Sequence, residues 1–208
     1  MKAKQFLSFI KGLNIVFTII LFLTILGTVF LLILIGGAIL TSEQFVLNLM
    51  RKGDISASLD LNGLKIIFGE PDMNLFHYDK SLVILFLFTF LFYDSIVLAI
   101  IFLVTRFLKS ILDGDIFTLT NSRRIEWIGY CIIFLSVTFK SNGAFFVYCI
   151  NEIFNFTVII QNSELVQSVS IQFFGIHWSM LLCGLIIWTI GYIFRYGSFL
   201  QQEFDATV

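Results

Sequence analysis

The chain has 208 residues, of which 58% are hydrophobic and 13% charged, and its net charge is −1. Soluble domains carry about 25% charged residues, so a surface wetted all round is excluded and lipid is the natural solvent. No overall basic field exists to hold nucleic acid, and 26 phenylalanines exceed what one small aqueous core can take.

Four apolar stretches reach the roughly 20 residues that a membrane-spanning helix needs. They cover about residues 13–40, 82–107, 127–153 and 173–194. Open strands would leave backbone groups unpaired in lipid, so helices are the only spans expected. The single proline, Pro71, lies outside all four, and proline kinks are not expected. The first stretch follows Lys2, Lys4 and Lys11, like the start of a secretory signal. Its apolar run is about twice the length of a signal core, which favours a retained anchor. Gly36, Gly37 and Ala38 keep cleavage as the alternative.

Residues 41–81 form the first outer loop, too long for a bare connection. Ile55, Ala57, Leu59 and Leu61 alternate with polar neighbours as a half-buried strand does. Asn62-Gly63 then suits a type I′ turn, and residues 64–68 return as a second strand. The second outer loop, 155–172, has β-branched and aromatic runs at 156–160 and 169–173. An isolated hairpin is marginal in water, so the two loops are expected to share one small sheet outside the membrane.

Asp94 falls near the middle of the second span and Lys140 near the middle of the third. A charge at that depth costs roughly 2.5–3.5 kcal/mol, and pairing the two offsets much of it. Ser136, Gly143 and Ala144 beside Lys140 would let another helix approach. A pair that sets helix register is the plainer expectation. A proton or ion relay is the sharper one, and it would need more polar lining than these helices offer.

Cys131, Cys149 and Cys183 match no metal or redox spacing and read as small packing residues. His77 and His177 sit near the outer membrane boundary, with Asp72, Asp79 and Glu152 as conceivable co-ligands, yet no zinc-site spacing joins them. Trp127 and Trp178 fit interfacial belts. Phosphate loops, nucleophile elbows and paired intramembrane glutamates are absent, so neither an enzyme nor a cofactor is expected.

Orientation follows the basic residues of the flanks. Lys2, Lys4, Lys11, Arg106, Lys109, Arg123, Arg124 and Arg195 lie on one side, against Arg51, Lys52, Lys65 and Lys80 on the other. That bias places both termini in the cytoplasm. The inner loop then carries Gly114, a turn residue, with Thr120 or Asn121 as the cap of the third helix. Phe117 and Leu119 are expected to fold back on helix ends. Arg123 and Arg124 could latch the tail through Glu203 and Asp205 while Leu200 and Phe204 cover Phe117 and Leu119; a solvated tail is the equal alternative.

Two segments carry a family resemblance. Gly114-Asp-Ile-Phe117-Thr118, followed by Asn121, Arg123 and Arg124, resembles the inner loop of a bacterial four-helix membrane family, the domain of unknown function DUF2975. The ending Leu200-Gln201-Gln-Glu203-Phe-Asp205-Ala-Thr207-Val208 is similar to the tail of that family. Asp115-Ile116 departs from its proline-containing loop, and Phe204 and Ala206 depart from commoner tail residues. The resemblance implies a cytoplasmic-membrane protein acting with a small helix-turn-helix regulator or another cytoplasmic protein, through the loop and tail just named.

The expected fold is thus an all-α integral membrane four-helix bundle, one domain, with a small extracytoplasmic β-sheet formed by the two outer loops. The expected function is non-enzymatic, regulatory or partner-binding in a bacterial inner membrane. The rival is a small transporter, channel or immunity-type protein that uses Asp94 and Lys140.

Overall fold

The structure is a computed structural model that describes residues 2–52, 58–61, 64–67, 79–154 and 173–206. Five helices and two short strands follow in chain order: α1 Lys2–Leu40, α2 Glu43–Lys52, β1 Ser58–Leu61, β2 Leu64–Ile67, α3 Lys80–Leu112, α4 Leu119–Phe154 and α5 Trp178–Ala206. Four of the helices are long and apolar enough to cross a membrane, over Gln5–Leu40, Lys80–Leu112, Leu119–Ile153 and Trp178–Phe204. The chain is a multi-pass membrane protein.

The helix starts are set by side-chain caps. Ser42 Oγ accepts from Phe45 N at 3.3 Å, and Asp79 Oδ1 accepts from Ser81 N at 2.8 Å and Leu82 N at 3.3 Å. Thr118 Oγ1 accepts from Asn121 N at 3.2 Å, and His177 Nδ1 from Met180 N at 3.4 Å. Each closes an orphan donor that a helix start leaves open. His177 is therefore the cap of α5, and α4 is capped by Thr118, not by Thr120 or Asn121. Within the spans, hydroxyls are satisfied locally: Thr18, Thr24, Thr89, Thr105 and Thr189 each donate to the carbonyl four residues back. Such back-bonding lets threonine sit in lipid without an unmet donor.

The expected sheet joining both outer loops is corrected. Among the described residues the only strands are β1 and β2, four residues each, and they pair antiparallel with each other alone, Ser58 opposite Ile67 and Leu61 opposite Leu64. A ribbon this small forms no layer, and the fold class is all-α. The Asn62-Gly63 turn, residues 155–172 of the second loop, Pro71, Asp72 and His77 lie outside the described residues. A helix, α2, opens the connection that follows α1, ahead of the segment where the strands were expected.

The chain divides into two compact units, Met1–Leu31, Phe90–Ser141 and Phe174–Val208 in the first, Leu32–Thr89 and Asn142–Phe173 in the second. The first unit is a bundle of helical segments. Ile10, Leu108 and Ile111 are buried where α1 meets α3, with Leu13, Phe17, Val104 and Phe107 around them. Inside the second unit, Lys80 Nζ donates to the carbonyls of Ile39 at 2.7 Å and Thr41 at 3.0 Å. An ammonium there satisfies the negative end of α1.

The close packing of α4 on α5 depends on missing side chains. A Cβ on Gly129 would lie 2.8 Å from Trp188 N, one on Gly184 2.9 Å from Ile133 N, and one on Gly191 2.9 Å from Glu126 N. Backbones this close require glycine, as small-residue helix contacts in membranes do.

Candidate functional site at the α3–α4 loop

The loop between α3 and α4 is built from its helix ends inward. Gly114 has φ +93°, the left-handed conformation that glycine adopts without strain. Gly114 N donates to Ile111 O at 3.2 Å and Asp115 N to Ser110 O at 3.0 Å. This pair of bonds is a Schellman motif, closing the last carbonyls of α3.

Asn121, on the first turn of α4, fixes that turn from the other side. It is fully buried. Its Nδ2 donates to Asp115 O at 2.6 Å, Ser110 Oγ at 2.9 Å and Ile116 O at 3.2 Å. Its Oδ1 accepts from Arg124 Nη1 at 2.8 Å, and the same nitrogen donates to Arg106 O at 3.2 Å. One amide thus satisfies the loop, the end of α3 and an arginine. Polar groups gathered on one fully buried amide hold one conformation.

On this rigid loop Phe117 turns toward α5. Its ring centroid is 5.1 Å from that of Phe194, and a Cβ on Gly197 would stand 3.2 Å from its ring. Even so, 48% of Phe117 is exposed. Beside it, Gly114, Asp115, Ile116, Phe117, Thr118 and Gln201 line a cavity of about 210 Å³. The loop and the tail residue Gln201 are therefore brought together. The tail is a continuation of α5, helical through Ala206.

Of the two arginines expected to latch the tail, Arg124 has other partners. Arg124 is engaged by Asn121 and the Arg106 carbonyl, and Arg123 is exposed with no side-chain partner among the described residues. No ion pair joins either arginine to Glu203 among the described residues, and the side chain of Asp205 lies outside them. Leu200 is half-buried, whereas Phe204 is 70% exposed. Leu119 belongs to the first turn of α4.

The arginine–carboxylate pair that does form joins Arg195 of α5 to Glu126 of α4. Glu126 is buried and also meets Ser122 Oγ at 3.3 Å, while that hydroxyl approaches Gly191 O at 2.8 Å. The seven-residue spacings Ser122–Gly129 and Gly184–Gly191 were the sequence signals for this seam, one small residue every two turns of each helix.

Asp94 and Lys140 do not form the expected intramembrane pair. Asp94 Oδ2 accepts from Thr28 Oγ1 of α1 at 2.6 Å. Lys140 lies instead along Gly175, where an added Cβ would meet Lys140 Cδ at 2.5 Å. One residue pair further on, His177 N donates to Ser136 O at 3.0 Å. The lysine is therefore level with the entry to α5. Among the described residues no three His, Cys, Asp or Glu side chains cluster as a metal site.

A family model described as "Protein of unknown function (DUF2975)" matches residues 66–208, about two thirds of the chain. No curated protein and no solved structure matches it.

Proposed function

From the premise that the chain belongs to the DUF2975 family, described as proteins of unknown function, we propose a non-enzymatic, regulatory membrane protein that binds a cytoplasmic partner through its α3–α4 loop and the end of α5. The observation that carries this reading is the loop itself. Asn121 holds it in one shape while Phe117 stays half exposed beside a cavity that Gln201 helps to line. A preorganised surface loses little freedom on binding, and an exposed aromatic beside a cleft is a common anchor. The excess of basic residues on this side supports a cytoplasmic loop and cytoplasmic termini, and the family resemblance supports a bacterial inner membrane.

A small helix-turn-helix regulator is the first partner to test, since the family resemblance implies one. Full-length protein in detergent should retain such a regulator on a column, and Asn121→Ala or removal of residues 200–208 should release it. Retention unaffected by both changes would remove the loop and tail from the reading. Neutralising Asp94 or Lys140 should leave retention unchanged, whereas the transporter alternative requires those two residues and not the tail.

A further inference from the structure

We infer that the outer face of α4 and α5 next to the loop is a binding site for an anionic phospholipid, with Arg123 taking the phosphate and an aromatic ladder taking the glycerol and upper acyl chains. Arg123, Trp127 and Tyr130 stand four and three residues apart and so share one face of α4. Trp127 is 61% exposed, and its ring lies edge-on to Tyr130 with centroids 6.0 Å apart. Tyr130 meets Trp188 of α5 at 6.2 Å, which joins the two helices into one wall. Trp188 and Tyr192, one turn apart, continue it on α5.

The wall has one charged end. Arg123 is exposed and has no side-chain partner among the described residues, unlike Arg124, held by Asn121, and Arg195, held by Glu126. The first turn of α4 carries no acid to offset it. At about 1.5 Å per residue, Arg123 stands roughly 10 Å beyond Tyr130 along the helix. That spacing matches a headgroup phosphate above the first carbons of its acyl chains. Tryptophan and tyrosine favour this depth, and a lone guanidinium beyond them complements an anionic headgroup in the leaflet bordering the α3–α4 loop.

The test uses tryptophan quenching by lipids brominated on their acyl chains. Trp127, Trp178 and Trp188 are the only tryptophans, and Trp178→Phe removes the one distant from the wall. The full-length protein carrying that change is reconstituted in phosphatidylcholine vesicles with a fixed share of brominated phosphatidylglycerol or brominated phosphatidylcholine. Brominated phosphatidylglycerol should show about a fivefold preference for the quenching position, the worth of one basic residue at an anionic surface. Arg123→Gln should abolish the preference, and Lys109→Gln on α3 should leave it intact. Equal quenching by the two lipids, or a preference surviving Arg123→Gln, would overturn the site. So would an equal loss with Lys109→Gln, which would mark a diffuse surface charge. Soluble inorganic phosphate in excess should change nothing; if it abolishes the preference, the ligand is a free anion and not a lipid.

Discussion

Thr28 donates a hydrogen bond to Asp94 at 2.6 Å, and with that contact the acid of α3 finds its partner on α1 and not on α4. The choice of partner determines how substitutions combine. Thr28→Val and Asp94→Asn should each destabilise the protein in detergent, and the double change should cost less than their sum by roughly 1 kcal/mol. Asp94→Asn with Lys140→Met should add to within about 0.5 kcal/mol, as residues without shared partners do. Unfolding curves of the three single and two double variants decide between the two pairings, and coupling with Lys140 would refute the geometry.

Asn121 gathers four polar groups with one side chain. Asn121→Ala would leave Ser110 Oγ, the Asp115 carbonyl and the Arg124 guanidinium short of a partner, each such loss costing about 1–3 kcal/mol when the group stays buried. Water reaching the opened loop lowers that sum, and a loss of about 2–4 kcal/mol is expected. Limited proteolysis should show new cleavage between residues 113 and 118. Asn121→Leu, equal in bulk, should not restore protection.

Replacement of Gly129, Gly184 or Gly191 by alanine should lower stability by about 1–3 kcal/mol, because the new methyl meets backbone and not a movable side-chain tip. Gly27→Ala and Gly143→Ala are the controls. Nothing lies within 4 Å of a Cβ at either, so the gain in helix propensity should appear as neutral or slightly raised stability. Thermal unfolding of the five proteins separates a packing requirement from a general preference for glycine.

The Glu126–Arg195 pair is half in solvent on the arginine side and nearly buried on the other. Arg195→Met should therefore cost more than Glu126→Gln, since it leaves a buried carboxylate with Ser122 alone. About 2 kcal/mol is expected, less than the roughly 3–5 kcal/mol of a fully buried pair. Joining Glu126→Gln to Arg195→Met should recover much of the loss. An equal penalty for both single changes would show that the pair is held in water.

Arginine and asparagine show where sequence reading stops. Arg123 and Arg124 are adjacent in sequence and read alike, yet a helix sets neighbours about 100° apart. One is drawn to Asn121 and the Arg106 carbonyl while the other faces outward, and only the placement of α3 beside α4 decides which. In the same way the positions of Asp94 and Lys140 along their helices suggest matching depth but carry no information on the angle about each axis. Thr28, which takes the acid, has no charge to attract notice.

What the sequence determined by itself was the membrane, the number of long helices and the turn at Gly114. Those follow from apolar runs longer than a bilayer and from one residue able to adopt positive φ, properties that each segment holds alone. Partner choice, the close α4–α5 seam and the shape of the loop were decided by tertiary structure. Each needs two helices at a set rotation and distance, and in a chain apolar on nearly every face the hydrophobic pattern does not say which face turns inward. Shape and hydrogen bonding choose it: glycines where backbones meet, and Asn121 where a loop and two helices require the same donor.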